Sequence, residues 1–343
     1  MKIARCGNPR QFDSSDLQIN WVVSRKCNYS CSYCTVTNNA APISDRSVID
    51  RVAAEVKKIA IRNIHVVLTG GEPTIDPNYF YILDALLAAA DPISSFRITT
   101  ITNLGMPGGY FKELAGKYSA YNHCLRFCVS YHYEHADLNQ FIENVEIIGG
   151  LGFEVKVQLL MHPIFMPDMR KIFDRLRQLR MKNIKIEPKV VRENFGTLPD
   201  KRYSRDDMAW IKQNYQLVSE QKNIAMDCIL KNGEITRKLY SANELIAMKM
   251  NKFKGMLCNA GVNMISIDEK GDVSGAVCFR GDTSRYKINI IRDDNPFSKV
   301  SGPVVCPFKS CGCLADLEIP KYLPETSRRR ISEKVKTFWR GLP

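Results

Sequence analysis

Between residues 17 and 200 six short strand-like runs alternate with five helix-like ones, and this alternation constrains the fold more than any other feature. Strands that return through helices must lie parallel, because a parallel pair needs a crossover connection. The strand-like runs are 17–24, 63–68, 96–103, 125–131, 154–161 and 184–190. The helical runs between them are 45–61, 79–90, about 110–118, 138–148 and 167–179. In the first helix Val48, Val52, Val56 and Ile59 form one stripe and Ser44 is a suitable N-cap; in the second, Phe80, Leu83, Leu86 and Leu87 face the sheet.

Buried parallel strands normally read as continuous apolar runs, but three of these alternate. Gln18 and Asn20 oppose Ile19, Trp21 and Val23; Lys156 and Gln158 oppose Val155, Val157 and Leu159; Lys185, Glu187 and Lys189 oppose Ile184 and Ile186. With helices on the apolar face, the polar face lines the lumen of an open barrel. Lys156 and Lys185 fall near strand starts, where solvated stabilising charges are expected. Chemistry is expected at the strand ends, which carry Ser24, Thr102, Asn103, Ser130, His132, Glu134, Gln158, His162, Glu187 and Lys189.

No run approaches the apolar length of a membrane span, and residues 1–16 are polar and basic without a signal-peptide core. A cytoplasmic protein is expected. The net charge of +13 suits solubility or an anionic ligand. Its basic clusters, Lys249 to Lys254 and Arg328 to Arg330, lack the interleaved aromatics of a single-strand platform, which disfavours nucleic acid.

Twelve cysteines sit at metal-ligand spacings rather than in a secreted framework. Cys27-Asn28-Tyr29-Ser30-Cys31-Ser32-Tyr33-Cys34 follows the first strand. Three thiols on one loop can hold three corners of a [4Fe–4S] cube and leave its fourth iron without a protein ligand. Electron-transfer clusters and structural zinc sites are closed by four ligands, which this loop does not supply. After the second strand comes Thr69-Gly70-Gly71-Glu72-Pro73-Thr74.

This pair of motifs resembles the radical S-adenosylmethionine (SAM) superfamily. The resemblance implies a partial (β/α)6 TIM-like barrel, which the six units match, a [4Fe–4S] cluster on Cys27, Cys31 and Cys34, and SAM on the open iron. It implies SAM contacts from Gly70, Gly71, Glu72 and Pro73, with Glu72 on the ammonium, Tyr33 near the adenine, and Asn103 and Ser130 at later strand ends. Leu104 interrupts the family's Thr-Asn-Gly step, and the glycine-rich fifth-strand signature is absent from 155–161. The expected chemistry is reductive cleavage of SAM to a 5′-deoxyadenosyl radical that takes hydrogen from a substrate, with a flavodoxin- or ferredoxin-like electron donor. His132, Glu134, His162 and Glu187 are the proton-transfer candidates. Cys128 shares the lumen face with Ser130 and is either a hydrogen-atom donor or a small core residue.

Residues 201–257 read as a helical bridge, with helices near 205–219 and 242–250. Beyond it, Met264 to Ile267 and Val273 to Val277 flank the turn Asp268-Glu269-Lys270-Gly271, a β-hairpin between Cys258 and Cys278, followed by Cys306, Cys311 and Cys313. This arrangement resembles the SPASM and twitch auxiliary-cluster domains, with cysteines for one further [4Fe–4S] cluster. A structural zinc on four of the same five residues is the alternative. The expected organisation is an α/β chain with a tail at 1–16, a partial barrel at 17–200, the bridge, and a cysteine-rich hairpin domain at 258–343, whose helix-like stretch 327–339 packs across the barrel.

The substrate is expected to be an anionic small molecule of a natural-product or nucleotide-sugar type. A peptide-modifying maturase is the alternative, although residues 1–16 are too short for a leader-binding domain. A non-catalytic iron–sulfur or zinc protein is the alternative of another class.

Overall fold

The computed structural model describes residues 2–12, 16–34, 45–59, 63–90, 95–193, 198–216, 222–279, 288–300 and 302–324. Six parallel strands, β2 (Asp16–Ser24), β3 (Asn63–Gly70), β4 (Phe96–Thr102), β5 (Leu125–Tyr131), β6 (Glu154–Met161) and β7 (Ile184–Val190), lie side by side in chain order after β1 (Lys2–Gly7). The crossover helices are α1 (Arg46–Lys57), α2 (Tyr79–Ala89), α3 (Gly108–Lys117), α4 (Leu138–Gly150) and α5 (Met166–Leu176). The sheet does not close, so the architecture is a partial α/β barrel.

Period-two patterning decides which face each strand residue takes. Leu17, Ile19, Trp21 and Val23 of β2 join Ile49, Val52 and Val56 of α1 and Ile82, Leu83 and Leu86 of α2 in the core under the helices. Truncating such a side chain to Ala costs about 2–5 kcal/mol. The expected stripe of α1 is turned slightly, with Ile49 fully buried and Val48 at the margin. Asp45 caps this helix by accepting from the Ser47 N–H at 2.8 Å; the expected cap, Ser44, lies outside the described residues. Lys156, expected to be solvated, instead forms an ion pair with the buried Glu187 at 2.8 Å, because consecutive lumen layers of β6 and β7 bring them together.

The remaining chain is α6 (Arg205–Gln216), β8 (Ile224–Ile229), β9 (Ile235–Tyr240), α7 (Ala242–Ala247), β10 (Leu257–Cys258), β11 (Met264–Ile267), β12 (Asp272–Ser274), β13 (Ile288–Asn289), α8 (Pro296–Lys299), β14 (Val304–Val305), α9 (Leu314–Glu318) and β15 (Lys321–Tyr322). The hairpin β11–β12 forms as expected, with Gly271 at φ +80 in its turn. Its position is not the one a separate domain implies: β11 pairs in parallel with β2, Met264 opposite Gln18 and Ile267 opposite Trp21, and extends the barrel sheet. Cys278 lies on a short helical turn, Val277–Phe279, beyond the hairpin.

A second sheet has the order β14-β10-β15-β1-β8-β9. Residues 2–7, expected to be tail, are thus an inner strand, and the bridge contributes the hairpin β8–β9 as well as its two helices. Asp227 sits in this sheet between Arg5 (2.9 Å) and Arg237 (2.7 Å), a buried charge with bidentate partners. The stretch 327–339 lies outside the described residues. No helix among the described residues is long and apolar enough to cross a membrane.

Candidate iron–sulfur and S-adenosylmethionine site

The cysteine loop leaves the C-terminal end of β2 and is fastened to the turn after β3. Gly71 donates its N–H to the Ser24 carbonyl and Glu72 to the Lys26 carbonyl, both at 2.8 Å. The glycines are required by this approach. A Cβ on Gly70, which holds φ +145, would lie 2.0 Å from the Ser24 oxygen, and one on Gly71 would lie 2.2 Å from the Lys26 oxygen. Glu72 is 1% exposed. Its Oε1 accepts from the Thr74 N–H (3.0 Å) and hydroxyl (2.7 Å), and its Oε2 from the Asn103 N–H (2.5 Å). Its carboxylate therefore braces the ends of β3 and β4, leaving at most one of about four acceptor positions for a ligand. Pro73 starts the short helical turn that follows.

Asn103 reaches the loop, donating from Nδ2 to Asn28 Oδ1 at 2.8 Å and lying 3.9 Å from Cys27 Sγ. Leu104, where the family's step has glycine, holds φ 54, a conformation that costs a β-carbon-bearing residue about 1–2 kcal/mol. Ser130 is buried on the lumen face of β5, opposite Gln158 of β6.

Three of the four proton-transfer candidates meet behind the loop. The His132 Nδ1 is 2.9 Å from the Tyr33 hydroxyl and 3.5 Å from Cys31 Sγ, and the Tyr33 and His132 rings are stacked. Burial, reinforced by the Lys189 charge, pushes His132 down to about 3, so its imidazole is neutral and can accept from Tyr33. Glu134 accepts from the Ser32 N–H at 2.7 Å and from the Ser32 hydroxyl, and His162 Nε2 lies 3.3 Å from it. Burial alone would raise Glu134; the Ser32 hydrogen bonds outweigh it and hold the carboxylate below its ordinary range. Tyr33 packs between His132 and His162. Glu187 stands apart, deep in the lumen, with Oε2 bound by Lys156 (2.8 Å) and by the Asn243 amide (3.0 Å).

The loop suits a cluster in its donor set. It offers three thiols, and burial pushes Cys27 up to about 11 and Cys31 up to about 12, so both stay protonated until a metal displaces the proton. A lone zinc with bonds of about 2.3 Å would need sulfurs about 3.8 Å apart. Among the described residues no three cysteines lie within 4.8 Å of one another; Cys31 groups instead with Glu134 and His135.

A second set of thiols lines one small apolar cavity in the C-terminal part: Cys258 from β10, Cys278, Cys306 and Cys311. Hydrogen bonds to partners distant in sequence fix three of them, and Cys258 lies opposite Lys321 across β10–β15. Cys306 donates its N–H to the Met256 carbonyl and Cys311 to the Asn251 carbonyl, both at 2.8 Å, while Asp316 accepts from the N–H groups of Val277 (3.0 Å) and Cys278 (2.8 Å). Lys321, 1% exposed, also lines the cavity and donates to the carbonyls of Asp316 (2.5 Å) and Ile319 (2.8 Å). Cys313, grouped with these thiols by sequence, is not part of the lining. Asp316 and Lys321 carried no sequence signal, since an isolated Asp or Lys near a strand reads as surface.

The chain is thus a partial parallel α/β barrel with a three-thiol loop at its C-terminal mouth. The family follows from comparison: residues 21–176 match the profile of the Radical SAM superfamily, and the chain carries a domain of that superfamily. Among solved structures, native anSMEcpe with bound AdoMet superposes with a TM-score of 0.55 at 13% identity, over 83% of this chain and 80% of that one. Streptococcus suis SuiB bound to S-adenosylmethionine gives 0.52 at 17% identity, over 84% and 67%. SuiB bound to precursor peptide SuiA gives 0.52 at 16%, over 84% and 66%. At these identities the likeness is one of fold. No curated protein matches the sequence.

Proposed function

We propose that the protein is a radical SAM enzyme acting on an organic substrate held in the barrel lumen, with a second [4Fe–4S] cluster on Cys258, Cys278, Cys306 and Cys311. The observation that carries this reading is the backbone fastening of the three-thiol loop to the Gly-Gly-Glu-Pro turn, which puts an incomplete donor set beside a turn of the kind that holds SAM in the family it resembles. When bound, the cluster and SAM supply reductive cleavage of SAM to a 5′-deoxyadenosyl radical that takes hydrogen from a C–H bond. Cys27, Cys31 and Cys34 hold the iron. Asn103 and Glu72 keep the loop and turn in register, and Tyr33, His132, Glu134 and His162 back the loop rather than face substrate. Ser130 and the lumen face of β5 to β7 meet the ligand.

The oxidoreductase assignment, a flavodoxin- or ferredoxin-like donor and a cytoplasmic setting belong to the same reading, since reduced thiols and low-potential electrons need a reducing compartment. An anionic small molecule is the preferred substrate. A peptide is the second reading, supported by the precursor peptide bound to one neighbour of the same fold.

The test is anaerobic reconstitution of the full chain, with an expected content near eight iron atoms, about four per cubane cluster. The dithionite-reduced protein should show an EPR signal that changes on SAM addition, with 5′-deoxyadenosine formed. A signal indifferent to SAM with no 5′-deoxyadenosine would leave only an electron-transfer or structural protein. Four irons plus one tightly held zinc would overturn the auxiliary cluster alone.

A further inference from the structure

The lumen contains a lysine, Lys189, that has no ion-pair partner among the described residues. Register stacks the lumen face of β6 and β7 in layers: Lys156 opposite Lys185, Gln158 opposite Glu187, Leu160 opposite Lys189. Glu187, the carboxylate of this stack, is held through Oε2 by Lys156 at 2.8 Å and by Asn243 at 3.0 Å, and its buried Oε1 has no hydrogen-bond partner among the described residues. Lys189, one layer nearer the mouth, donates to the neutral Gln158 Oε1 at 2.7 Å. Among the described residues no carboxylate lies within 4 Å of its ammonium. Burial, with Arg192 and Lys156 adding repulsion, outweighs the opposing pull of Cys128 and Glu187 and pushes this lysine down to about 8.

Its neighbours fix its place between the two thiol sites. On one side its charge acts on His132, the imidazole that touches Cys31. On the other stands Arg192, which donates to the Gly312 carbonyl and whose charge is felt by Cys311 and Cys313. Cys128 faces it from β5. A half-buried ammonium beside other cations is costly unless something compensates it. A neutral amide at this position would satisfy Gln158 without that cost, so a structural role does not account for a lysine here. A lysine with no ion-pair partner among the described residues, set beside the polar side chains of the lumen face near the mouth, fits a ligand that brings the counter-ion.

We propose that Lys189 is the docking point for an oxyanion of the substrate, a carboxylate or a phosphate, and that it holds the substrate in the lumen between the Cys27–Cys34 loop and the Cys258, Cys278, Cys306, Cys311 cavity. Lysine acts as a point charge and suits either group. Calling the ligand a substrate rests on the proposed function; the anion site itself does not.

The experiment follows the melting temperature of the anaerobically reconstituted full chain at pH 7 as inorganic phosphate, or separately sodium acetate, replaces chloride at constant ionic strength. The wild type should show a saturable rise. Lys189→Met and Lys189→Gln should bind the same anion at least tenfold more weakly, and Lys189→Arg should stay within about threefold of wild type. Lys189→Gln keeps a hydrogen-bonding end for Gln158 and decides the matter if Lys189→Met does not melt cooperatively. A response to phosphate alone assigns a phosphate-bearing ligand, and one to acetate alone a carboxylate. An equal response in wild type and Lys189→Gln, or none in the wild type, overturns the site. SAM titration of the same samples separates the two readings: anion binding through Lys189 without SAM binding removes the proposed function and leaves the anion site.

Discussion

The two thiol sites are built in opposite ways. At the barrel mouth three cysteines fall within eight residues, on a loop held by backbone hydrogen bonds to the next βα turn. In the C-terminal part four cysteines come from segments spread over more than fifty residues, and each is fixed by a partner distant in sequence, such as Met256 for Cys306 and Asn251 for Cys311. The first site needs little more than its loop and the glycines that let the turn approach. The second exists only when β10, β15 and α9 are assembled, because Cys258 pairs with Lys321 across β10–β15 and Asp316 of α9 secures Cys278. The donor sets differ in the same sense: three thiols leave a ligand position open, whereas four can close a cluster.

The largest effect should come from breaking the local site. Cys27→Ala, Cys31→Ala and Cys34→Ala together should abolish 5′-deoxyadenosine formation and remove about four of eight irons, with the C-terminal cluster signal intact. Because the triplet contributes no strand or helix, the melting transition of the metal-free variant should stay close to that of the metal-free wild type. Persistent SAM cleavage in the reconstituted triple variant would show that the loop is not where SAM is activated.

The assembled site should respond differently. Cys258→Ala with Cys278→Ala should remove the other four irons and abolish turnover of substrate, yet leave some uncoupled SAM cleavage. Cys313→Ala should keep all eight irons, since Cys313 stands outside the cavity lining. Iron analysis with EPR of the two variants decides this. Loss of the second cluster in Cys313→Ala would mean that the ligand set is drawn from a different four of the five thiols.

This contrast explains what could be read from the residues and what could not. Both cysteine motifs, the six strands and the polar lumen face were legible because each is a local pattern of spacing or periodicity. The parallel pairing of β11 with β2 was not, since a hairpin encodes its own turn and not the edge it joins. The strand at Lys2–Gly7 was masked by its basic residues; Arg5 is buried only because Asp227 meets it more than two hundred positions away. The role of Glu72 illustrates the same limit. Its sequence position implies a SAM contact, and the structure adds a second role that the motif does not encode: three donors from Thr74 and Asn103 make its carboxylate a brace between two strand ends.

The smallest effect compares the lysine at each site. Lys321 is enclosed by carbonyl acceptors and Asp316; burial alone would lower it, but the nearby sulfurs of Cys258 and Cys311 and the Asp316 carboxylate hold it above its ordinary value. Lys189, near the mouth, hydrogen-bonds a neutral amide, and burial outweighs the pull of Cys128 and Glu187 and lowers it to about 8. A lysine depressed in the folded state leaves the unfolded chain holding more protons between the two values, so folding stability rises with pH across that window. The difference in stability between wild type and Lys189→Met should therefore be flat below about pH 8 and grow in favour of the wild type as pH rises from there towards lysine's ordinary value of about 10.4. Urea denaturation of both metal-free chains over pH 7 to 10 measures it, and subtracting the variant cancels the other titrating groups. A difference independent of pH would mean that the Lys189 ammonium is compensated in the folded protein, and the contrast between the two lysines would then disappear.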